Sequence, residues 1–437
     1  MGMDWGIALA GGLALLILAL GAGLPIFVGF LLLNLLGVWA LFGSAGFGMF
    51  AGSVTDSMSN LALTTIPLFI LMGEILFRSG AVDVVFDSVD QLVGRVRGRL
   101  YVFTIALSTV FGALSGSAVA VAAMLGRTVL PTMHERGYDA RVSATLVMAG
   151  ASLAPIIPPS LMAVLIGSMA NVSISSLLLA GLLPGLLLAG LSVGYAFWRL
   201  ARDPGLAPRD DERPARDRQP LHALLRLAPF SVIVFSVMGL MLMGVATPSE
   251  AAATGVAGSL LVAAGYRRLS WALLRDAVAS TVRIAAMILV ILAASVFFGQ
   301  LLSFTGATSR LVEALAGIAL PPLVMFWLLM LVPFVLCMFI DQLAFMMVAI
   351  PIYAPLVQRL GFDPVWFWTL FSVNMTVASV TPPFGYTMFA LRAAAPRLLS
   401  MQQVFAASWP VVGVFAFGML LMSLVPGIVT VVPGALK

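Results

Sequence analysis

Long apolar stretches recur along the whole chain, and they restrict what it can fold into more than any other feature. They lie near residues 5–42, 61–78, 100–126, 142–169, 176–198, 228–247, 251–265, 278–304, 318–352, 365–391 and 404–433. A helix that spans a bilayer needs about 20 apolar residues, and the stretches do not alternate as the strands of a membrane barrel do. Only 9% of the 437 residues are charged, against about 25% in soluble domains. The sequence therefore predicts an all-α polytopic membrane protein, with no soluble domain that could bind nucleic acid.

The most polar segment, residues 199–220, lies near the middle of the chain. It contains six arginines and five acidic residues, which is typical of a solvated linker. Its arginine content favours the cytoplasmic side of the membrane. We therefore divide the chain into a first half, residues 1–198, a linker, and a second half, residues 221–437.

The two halves contain an internal repeat. Residues 131–159 and 355–383 share a proline, a glycine-aromatic-aspartate motif and a proline pair at an offset of 224, and residues 73–81 match residues 299–307 at an offset of 226. Two matches in the same order at nearly the same offset indicate a structural duplication. Duplicated membrane proteins of this size are usually transporters, and their repeats are often inverted across the membrane. The loop of the first repeat contains more arginine than the loop of the second, and this difference favours inversion.

Each half also contains stretches at membrane depth that cannot be plain helices. They are residues 114–118 and 154–160 in the first half, and residues 339–342 and 374–385 in the second. A Pro-Pro pair removes two backbone donors, so carbonyls one turn back lose their partners. In a membrane such carbonyls are tolerated where they line a polar cavity or bind an ion. With Ser, Thr, Asn or Asp oxygens they suit a hard cation such as Na⁺, whereas helix N-termini attract an anion. The alternative is a proline kink packed against neighbouring helices.

Asp341 is the most informative single residue, because an acid within an apolar run is costly in lipid and is functional by default. It occupies the repeat position of Ser117. We interpret it as a cation ligand or a proton-sensitive carboxylate, and the alternative is an acid that caps a helix near the interface. Glu74 is a second such acid, and its repeat partner is Gln300; its role stays open.

Enzyme motifs fail when they are tested against the sequence. His134-Glu135 begins like a zinc-protease helix, but position 138 is Tyr138, so the second histidine is missing. No serine-hydrolase elbow forms around Ser115, because position 113 is Ala113. The chain also has no P-loop, so an ion gradient or a partner chain must supply the energy. We therefore predict that the protein is not an enzyme.

Together these motifs resemble the large membrane subunit of tripartite ATP-independent periplasmic (TRAP) transporters. The resemblance runs from about residue 20 to 425 and is carried by Ser115 to Ala118, residues 130–139, Ile156 to Ser160, Phe339 to Asp341, residues 360–367 and Thr381 to Gly385, with further agreement at residues 66–74 and 179–185. Val121 departs from the family pattern, because many relatives have an acid there.

The resemblance implies an inverted-repeat, elevator-type importer with two re-entrant helical hairpins, in which a transport domain moves against a scaffold domain. It implies Na⁺ symport of an organic acid, such as a dicarboxylate, keto acid, sugar acid or sialic acid, across the bacterial inner membrane. A periplasmic binding protein would deliver the substrate, and a small four-helix membrane subunit would pack on the scaffold. We expect that subunit to be a separate chain.

Carried over to this sequence, the resemblance implies Na⁺ ligands in both halves and a substrate carboxylate between the hairpin tips. The implied Na⁺ ligands are Ser115, Ser117, Ser160, Asp341, Asn374, Thr376 and Thr381, and the implied substrate contacts are Ser117, Ser160, Thr381 and Gly385. Two other functions stay open at this point. One is a stand-alone ion-coupled carrier of organic anions that needs no binding protein, and the other is a channel or membrane scaffold.

Overall fold

A computed structural model describes residues 11–435, apart from positions 13, 17, 20, 21, 93–96, 209–219 and 319. Over these residues the backbone forms helices joined by turns, and no described residue lies in a β-strand. We number the α-helices from Ile26 onwards. The prediction of an all-α fold is confirmed.

The first half of the described chain contains ten helices after residue 25. They are α1 (Ile26–Phe42), α2 (Gly46–Met58), α3 (Thr65–Arg78), α4 (Ala81–Leu92), α5 (Arg99–Ser115), α6 (Ala118–Glu135), α7 (Ala140–Ala151), α8 (Leu161–Ala170), α9 (Ile174–Ala180) and α10 (Leu182–Arg202). The polar segment expected at residues 199–220 thus begins inside α10. In the last turn of α10 the guanidinium of Arg202 lies 4.2 Å from the ring centre of Trp198, which is a cation–π contact. Residues 209–219 of that segment lie outside the described residues.

The second half of the described chain contains ten more helices. They are α11 (Pro220–Leu242), α12 (Pro248–Gly265), α13 (Trp271–Phe304), α14 (Ala307–Ala316), α15 (Pro322–Cys337), α16 (Gln342–Arg359), α17 (Pro364–Ala378), α18 (Tyr386–Ala394), α19 (Met401–Leu424) and α20 (Gly427–Gly434).

Six helical segments of the described chain are long and apolar enough to cross a membrane. They are Ile26–Met58, Leu61–Arg78, Ile174–Arg202, Leu221–Leu242, Trp271–Phe304 and Met401–Leu424. Large apolar side chains such as Phe235, Leu261 and Trp271 are exposed on α11, α12 and α13. A surface of this kind is unfavourable in water but is normal where it faces lipid. The chain is therefore an all-α polytopic membrane protein.

The repeat found in the sequence reappears in the helix boundaries. Shifted by 224 residues, α6 coincides with α16 at both ends, α7 and α17 begin at equivalent positions, and α8 and α18 begin one residue apart. The turn before α7 and the turn before α17 are also built alike. Asp139 and Asp363 each cap the following helix through Oδ1, which accepts a backbone N–H at 2.8 Å. Gly137 and Gly361 have positive φ angles of 77° and 72°, which glycine adopts without a steric penalty.

The upstream match also has a structural counterpart. Helix α3 is followed by the short helix α4, and the end of α13 is followed by the short helix α14. The joints contain Gly80 and Gly306, whose φ angles are 73° and 72°. Both halves therefore share the order of a long helix, a glycine joint, a short helix, a helix pair and an interrupted helix. The exact limits of the halves, at residues 198 and 221, stay a prediction.

The two repeats pack into each other rather than side by side. Helix α6 of the first repeat packs against α18 of the second, and at Gly126 a side chain would come within 2.9 Å of Ala394 Cβ. Helix α8 contacts α16 in the same way. The Thr145 hydroxyl on α7 donates to the Ala407 carbonyl on α19 at 2.9 Å. The helices α5–α8 and α15–α18 thus form one interlocked group.

A second group of helices packs mainly on itself. Helix α3 packs most extensively against α12 and α13, α12 packs against α11, and α1 and α2 pack against α13. The short helix α4 contacts both α11 of this group and α5 of the first group, while α14 contacts both α13 and α16. The short helices therefore bridge the two groups, which also contact each other directly through α3 with α5 and α8 and through α13 with α16.

Candidate functional site

The first helix pair, α5 and α6, is a hairpin whose tip lies at residues 115–117. Its base is held by the Tyr138 hydroxyl, which accepts from the backbone N–H of Leu100 at 3.4 Å. At the tip, Gly116 adopts a left-handed conformation with φ 61°. Ser117 then caps α6, with its Oγ accepting from the Ala120 N–H at 3.3 Å. Helix α5 has 17 residues, or about 25 Å at 1.5 Å per residue, which is less than the hydrocarbon thickness of about 30 Å. The hairpin therefore has the length of a re-entrant element.

The first interruption lies between α7 and α8, at residues 152–160, and all of these residues are buried. Ser160 caps α8 through the Ala163 N–H at 3.3 Å, and its hydroxyl donates to the Pro155 carbonyl. The peptide between Pro158 and Pro159 is cis. The predicted break in this helix is thus present.

The first tip lies against the first interruption. A Cβ atom built on Gly116 would be 3.8 Å from the Pro159 carbonyl oxygen and 3.8 Å from the Leu161 nitrogen. The structure therefore brings Ser115, Ser117 and Ser160 to one place. We call residues 115–117 and 152–161 the first cradle.

The second helix pair, α15 and α16, has its tip at residues 338–341. Asp341 is exposed and caps α16, because its Oδ1 accepts from the N–H groups of Leu343 at 3.0 Å and Ala344 at 3.2 Å. Asp341 is therefore a helix cap, as in the alternative interpretation from the sequence, and it caps through Oδ1. Both of these hydrogen bonds go to Oδ1, and the side chain is exposed, so the carboxylate is accessible to a cation.

The second interruption lies between α17 and α18, at residues 379–385. The Thr381 hydroxyl donates to the Val377 carbonyl at 2.8 Å, and the peptide between Pro382 and Pro383 is cis. Gly385 is tightly enclosed, because a Cβ there would lie 2.6 Å from the Ser379 carbonyl oxygen. The predicted break is present here as well.

The second tip lies beside the second interruption, since the rings of Phe339 and Phe384 are in contact with centroids 5.8 Å apart. This contact brings Asp341, Thr381 and Gly385 into the same region. We call residues 338–342 and 379–386 the second cradle.

Two predicted ligands lie within α17 rather than in the interruption. Asn374 is buried and its Nδ2 donates to the Met330 carbonyl on α15 at 2.8 Å, about two turns from the hairpin tip. Thr376 is buried and donates to the Ser372 carbonyl at 2.8 Å. A hydroxyl that donates once keeps its lone pairs as acceptors, so Thr376 retains an oxygen for a ligand.

A small cavity connects the first cradle to the second repeat. It has a volume of about 10 Å³ and is lined by residues that include Pro155 and Ser160 of the first cradle and Thr369 and Ser372 of α17. A space of this size holds about one water molecule. Ser160 therefore belongs to a junction between the two repeats and not to the first half alone.

The charge distribution of the two cradles is simple. Neither contains a lysine or an arginine, and Asp341 is the one acidic residue in the pair. Among the residues that the structure describes, no group of three or more His, Cys, Asp or Glu side chains could hold a metal ion. The oxygen atoms on offer are hydroxyls, backbone carbonyls and one carboxylate, a set that suits a weakly bound hard cation.

Glu74 lies outside both cradles. Its Oε2 forms an ion pair with Arg78 at 2.8 Å, and its Oε1 accepts from the Ser280 hydroxyl at 2.8 Å. It therefore ties α3 to α13 within the second group of helices. Its repeat partner Gln300 lines a separate cavity of about 580 Å³ together with Asn171 and Ser303.

The sequence did not single out two polar residues of the second cradle, Gln342 and Tyr386. They begin α16 and α18, directly after Asp341 and Gly385. The repeat offset could have found them, because the equivalent positions in the first half are Ala118 and Met162. A polar residue that replaces an apolar one at a duplicated position is such a signal.

Comparisons with known proteins agree with this architecture. The family model described as "Tripartite ATP-independent periplasmic transporter, DctM component" matches residues 13–428. The ectoine/5-hydroxyectoine TRAP transporter large permease protein of Ruegeria pomeroyi is 31% identical over 332 residues, which are 75% of this chain and 76% of that protein.

The isethionate TRAP transporter permease protein of Oleidesulfovibrio alaskensis is 28% identical over 94% of this chain and 64% of its own length, so the chain spans just under two thirds of that relative. The crystal structure of the Alcanivorax borkumensis YdaH transporter has a similar fold, with a TM-score of 0.66 over 92% of this chain and 98% of that one at 13% identity.

Proposed function

The chain belongs to the DctM family of TRAP transporter large permeases, and from this premise we propose that it is the large transmembrane subunit of a Na⁺-coupled importer of an organic acid. The acid would carry a carboxylate and would be delivered by a periplasmic binding protein. The chain would work in the bacterial inner membrane together with a small four-helix membrane subunit.

The pairing of a hairpin tip with an interrupted helix, repeated in both halves, is the observation that carries this proposal. A Cβ built on Gly116 would lie 3.8 Å from the Pro159 carbonyl oxygen in the first interruption. In the second cradle, the ring of Phe339 at the tip contacts the ring of Phe384 in the interruption. Interrupted helices in membranes expose carbonyls and helix ends that bind ions and substrates. We assign Na⁺ to the oxygens of Ser115, Ser117 and Ser160 in the first cradle.

In the second cradle we assign Na⁺ to Asp341 and Thr381, with Thr376 and Asn374 on the adjoining turn of α17. The substrate carboxylate would lie between the tips, near Ser117, Ser160, Thr381 and Gly385. The exposed carboxylate of Asp341 and the buried position of Thr381 support this arrangement. A cation that neutralises Asp341 would allow a second anion, the substrate, to approach.

The two helix groups support an elevator mechanism. We propose that α5–α8 and α15–α18 form the transport domain and that α1–α3 and α11–α13 form the scaffold. The short helices α4 and α14 connect the groups, and each follows a glycine with positive φ. Movement of the cradles relative to α13 would then expose them to one side of the membrane at a time.

Reconstituted transport tests the proposal. The purified chain, its small subunit and its binding protein would be placed in proteoliposomes, and uptake of a radiolabelled acid would be followed under an inward Na⁺ gradient. We expect accumulation with Na⁺ and none with choline as the replacement cation. Binding-protein ligands would be chosen from the carboxylates ectoine, N-acetylneuraminate, gluconate and succinate, of which ectoine appears in the name of a relative.

Omission experiments separate the alternatives. Accumulation by the chain alone, without the binding protein, would show a stand-alone carrier. Equal uptake with Na⁺ and choline would refute Na⁺ coupling, and Na⁺-independent conductance would indicate a channel.

A further inference from the structure

We propose that Gln342 and Tyr386 form a hydrogen-bonding subsite that recognises a second, uncharged or nitrogen-bearing group of the transported acid. The substrate class would then be a monocarboxylate that also carries hydroxyl, amide or amine groups, and not a plain dicarboxylate. This inference rests on the proposed function and deepens it.

The first observation is a pair of unsatisfied polar atoms. Seven buried side-chain polar atoms lack a hydrogen-bond partner among the described residues, and two of them are Gln342 Oε1 and the Tyr386 hydroxyl oxygen. Gln342 is only 7% exposed. A buried polar atom without a partner costs about 1–3 kcal/mol, so such atoms are normally paired with protein, water or a ligand.

The second observation is that these two residues lie together. The Tyr386 hydroxyl lies close to the Gln342 backbone and to the Ser379 side chain, and within electrostatic reach of the Asp341 carboxylate. Neither neighbour meets the geometry of a hydrogen bond with it. The contact between the Phe339 and Phe384 rings holds the two segments side by side.

The third observation is that the pair occurs in one cradle only. At an offset of 224 residues, Gln342 corresponds to Ala118 and Tyr386 to Met162. Both of these are 2% exposed and apolar. Since the backbones of the two cradles correspond, the fold itself does not require a polar residue at either position. The polar pair therefore marks a chemical specialisation of the second cradle.

The surrounding charges decide which substrate group fits. The second cradle has no lysine or arginine to pair with a carboxylate. The N-terminus of α16, which could attract an anion, is already capped by Asp341. Like charges placed together across a binding site cost several kcal/mol. The cation assigned to Asp341 offsets the charge of Asp341 and leaves none for a second carboxylate of the substrate. A hydroxyl, amide or ammonium group has no such penalty and can satisfy both unpaired atoms.

Thermal unfolding of the purified chain in detergent, with Na⁺ present, tests the substrate class. The probes would be succinate, gluconate, ectoine and N-acetylneuraminate at millimolar concentrations. We expect at least one of the last three to raise the unfolding midpoint more than succinate does. Tyr386→Phe and Gln342→Leu should each weaken the apparent affinity for that acid at least tenfold, and both should retain the midpoint shift caused by Na⁺.

Three results would overturn the inference. In the first, succinate raises the unfolding midpoint of the wild-type chain as much as gluconate, ectoine and N-acetylneuraminate do, and in the second none of these last three acids raises it. In the third, the two variants bind the acid with the wild-type affinity. Loss of the Na⁺ shift in the wild type would instead count against the proposed Na⁺ coupling, so the two failures are distinguishable.

A matched tyrosine provides a test that needs no ligand. The Tyr353 hydroxyl donates to the Leu329 carbonyl at 3.0 Å, whereas the Tyr386 hydroxyl has no partner. Without substrate, Tyr353→Phe should lower the unfolding midpoint and Tyr386→Phe should leave it unchanged or raise it. A Tyr386→Phe variant that is destabilised as much as Tyr353→Phe would mean that the hydroxyl is satisfied within the protein, which would refute the subsite.

Discussion

The first and second cradles share a backbone plan but differ in side-chain chemistry. In each, a hairpin tip meets an interrupted helix with a proline pair, and a capping side chain begins the second hairpin helix, Ser117 in one and Asp341 in the other. The serines at positions 115 and 160 correspond to Phe339 and Phe384 in the second half, and those two rings contact each other.

This difference separates what the backbone does from what the side chains do. Proline pairs and helix caps set the paths of both cradles, because they act on backbone hydrogen bonds and dihedral angles that are local. The side chains on those paths are free to diverge once the path is set. The first cradle offers neutral hydroxyls, whereas the second offers a carboxylate, an amide, a phenol and an aromatic pair. A transported molecule would therefore meet two chemically distinct ends.

Among changes to the two cradles, removing the charge of Asp341 should have the largest effect on transport. Asp341→Asn keeps an oxygen that can cap α16 but loses the charge, which contributes about 1.5–3 kcal/mol in a charged hydrogen bond. We expect Na⁺-dependent uptake in the three-component proteoliposomes to fall by about tenfold or more, and Asp341→Ala to abolish it. Asp363→Asn, at the cap of α17 and outside the cradles, is the control and should transport normally. Uptake by Asp341→Asn at the wild-type rate would refute the role given to the charge.

Enlarging Gly385 should have the next largest effect. A Cβ at this position would lie 2.6 Å from the Ser379 carbonyl oxygen, and overpacking of this kind costs about 1–3 kcal/mol. We expect Gly385→Ala to lower the thermal unfolding midpoint and to impair uptake. Gly413→Ala in α19, where no atom lies within 4 Å of the new Cβ, should leave uptake unchanged and should not lower the midpoint, because alanine is favoured over glycine within a helix. Equal behaviour of the two variants would contradict the tight contact in the second interruption.

The aromatic pair of the second cradle can be converted to the serines of the first. A double-mutant cycle with Phe339→Ser and Phe384→Ser should give a coupling energy of about 0.5–1.5 kcal/mol, as expected for contacting rings. Chemical unfolding in detergent would measure the coupling. A value near zero would mean that the rings do not hold the tip to the interruption.

The smallest effect is expected where the repeats are most alike. Asp139→Ala and Asp363→Ala each remove a cap with an oxygen at 2.8 Å from a backbone nitrogen, which costs about 1 kcal/mol. The two variants should lose similar amounts of stability in the same unfolding assay. Loss of a single cap usually costs about 0.5–2 kcal/mol. If the losses of stability of the two variants differ by more than about 1 kcal/mol, the two turns are not equivalent.

Much of the fold could be predicted from the sequence. The charged fraction and the apolar stretches required a membrane protein, and the offset of 224 anticipated that α6 and α16 would have matching ends. The two proline pairs correctly located both interruptions, because proline removes a backbone donor wherever it occurs. Of the candidate ligands, the structure brings the three serines of the first half together.

Other features depended on packing that no local pattern reveals. Asn374 binds a carbonyl of α15 and Ser160 faces α17, because helices distant in sequence meet there. Gln342 and Tyr386 stand out in the sequence only by contrast with Ala118 and Met162 at the repeat offset. That their polar atoms are buried without partners is visible only in the structure.

The sequence by itself determined the membrane class, the duplication and the positions of the helix breaks, since hydrophobicity, periodic repetition and proline act through the local chain. The tertiary structure alone decided which tip meets which break, how the repeats interlock and which polar atoms are left unpaired. These properties arise from contacts between segments more than a hundred residues apart in some cases, and local sequence carries no information on the distance between such segments.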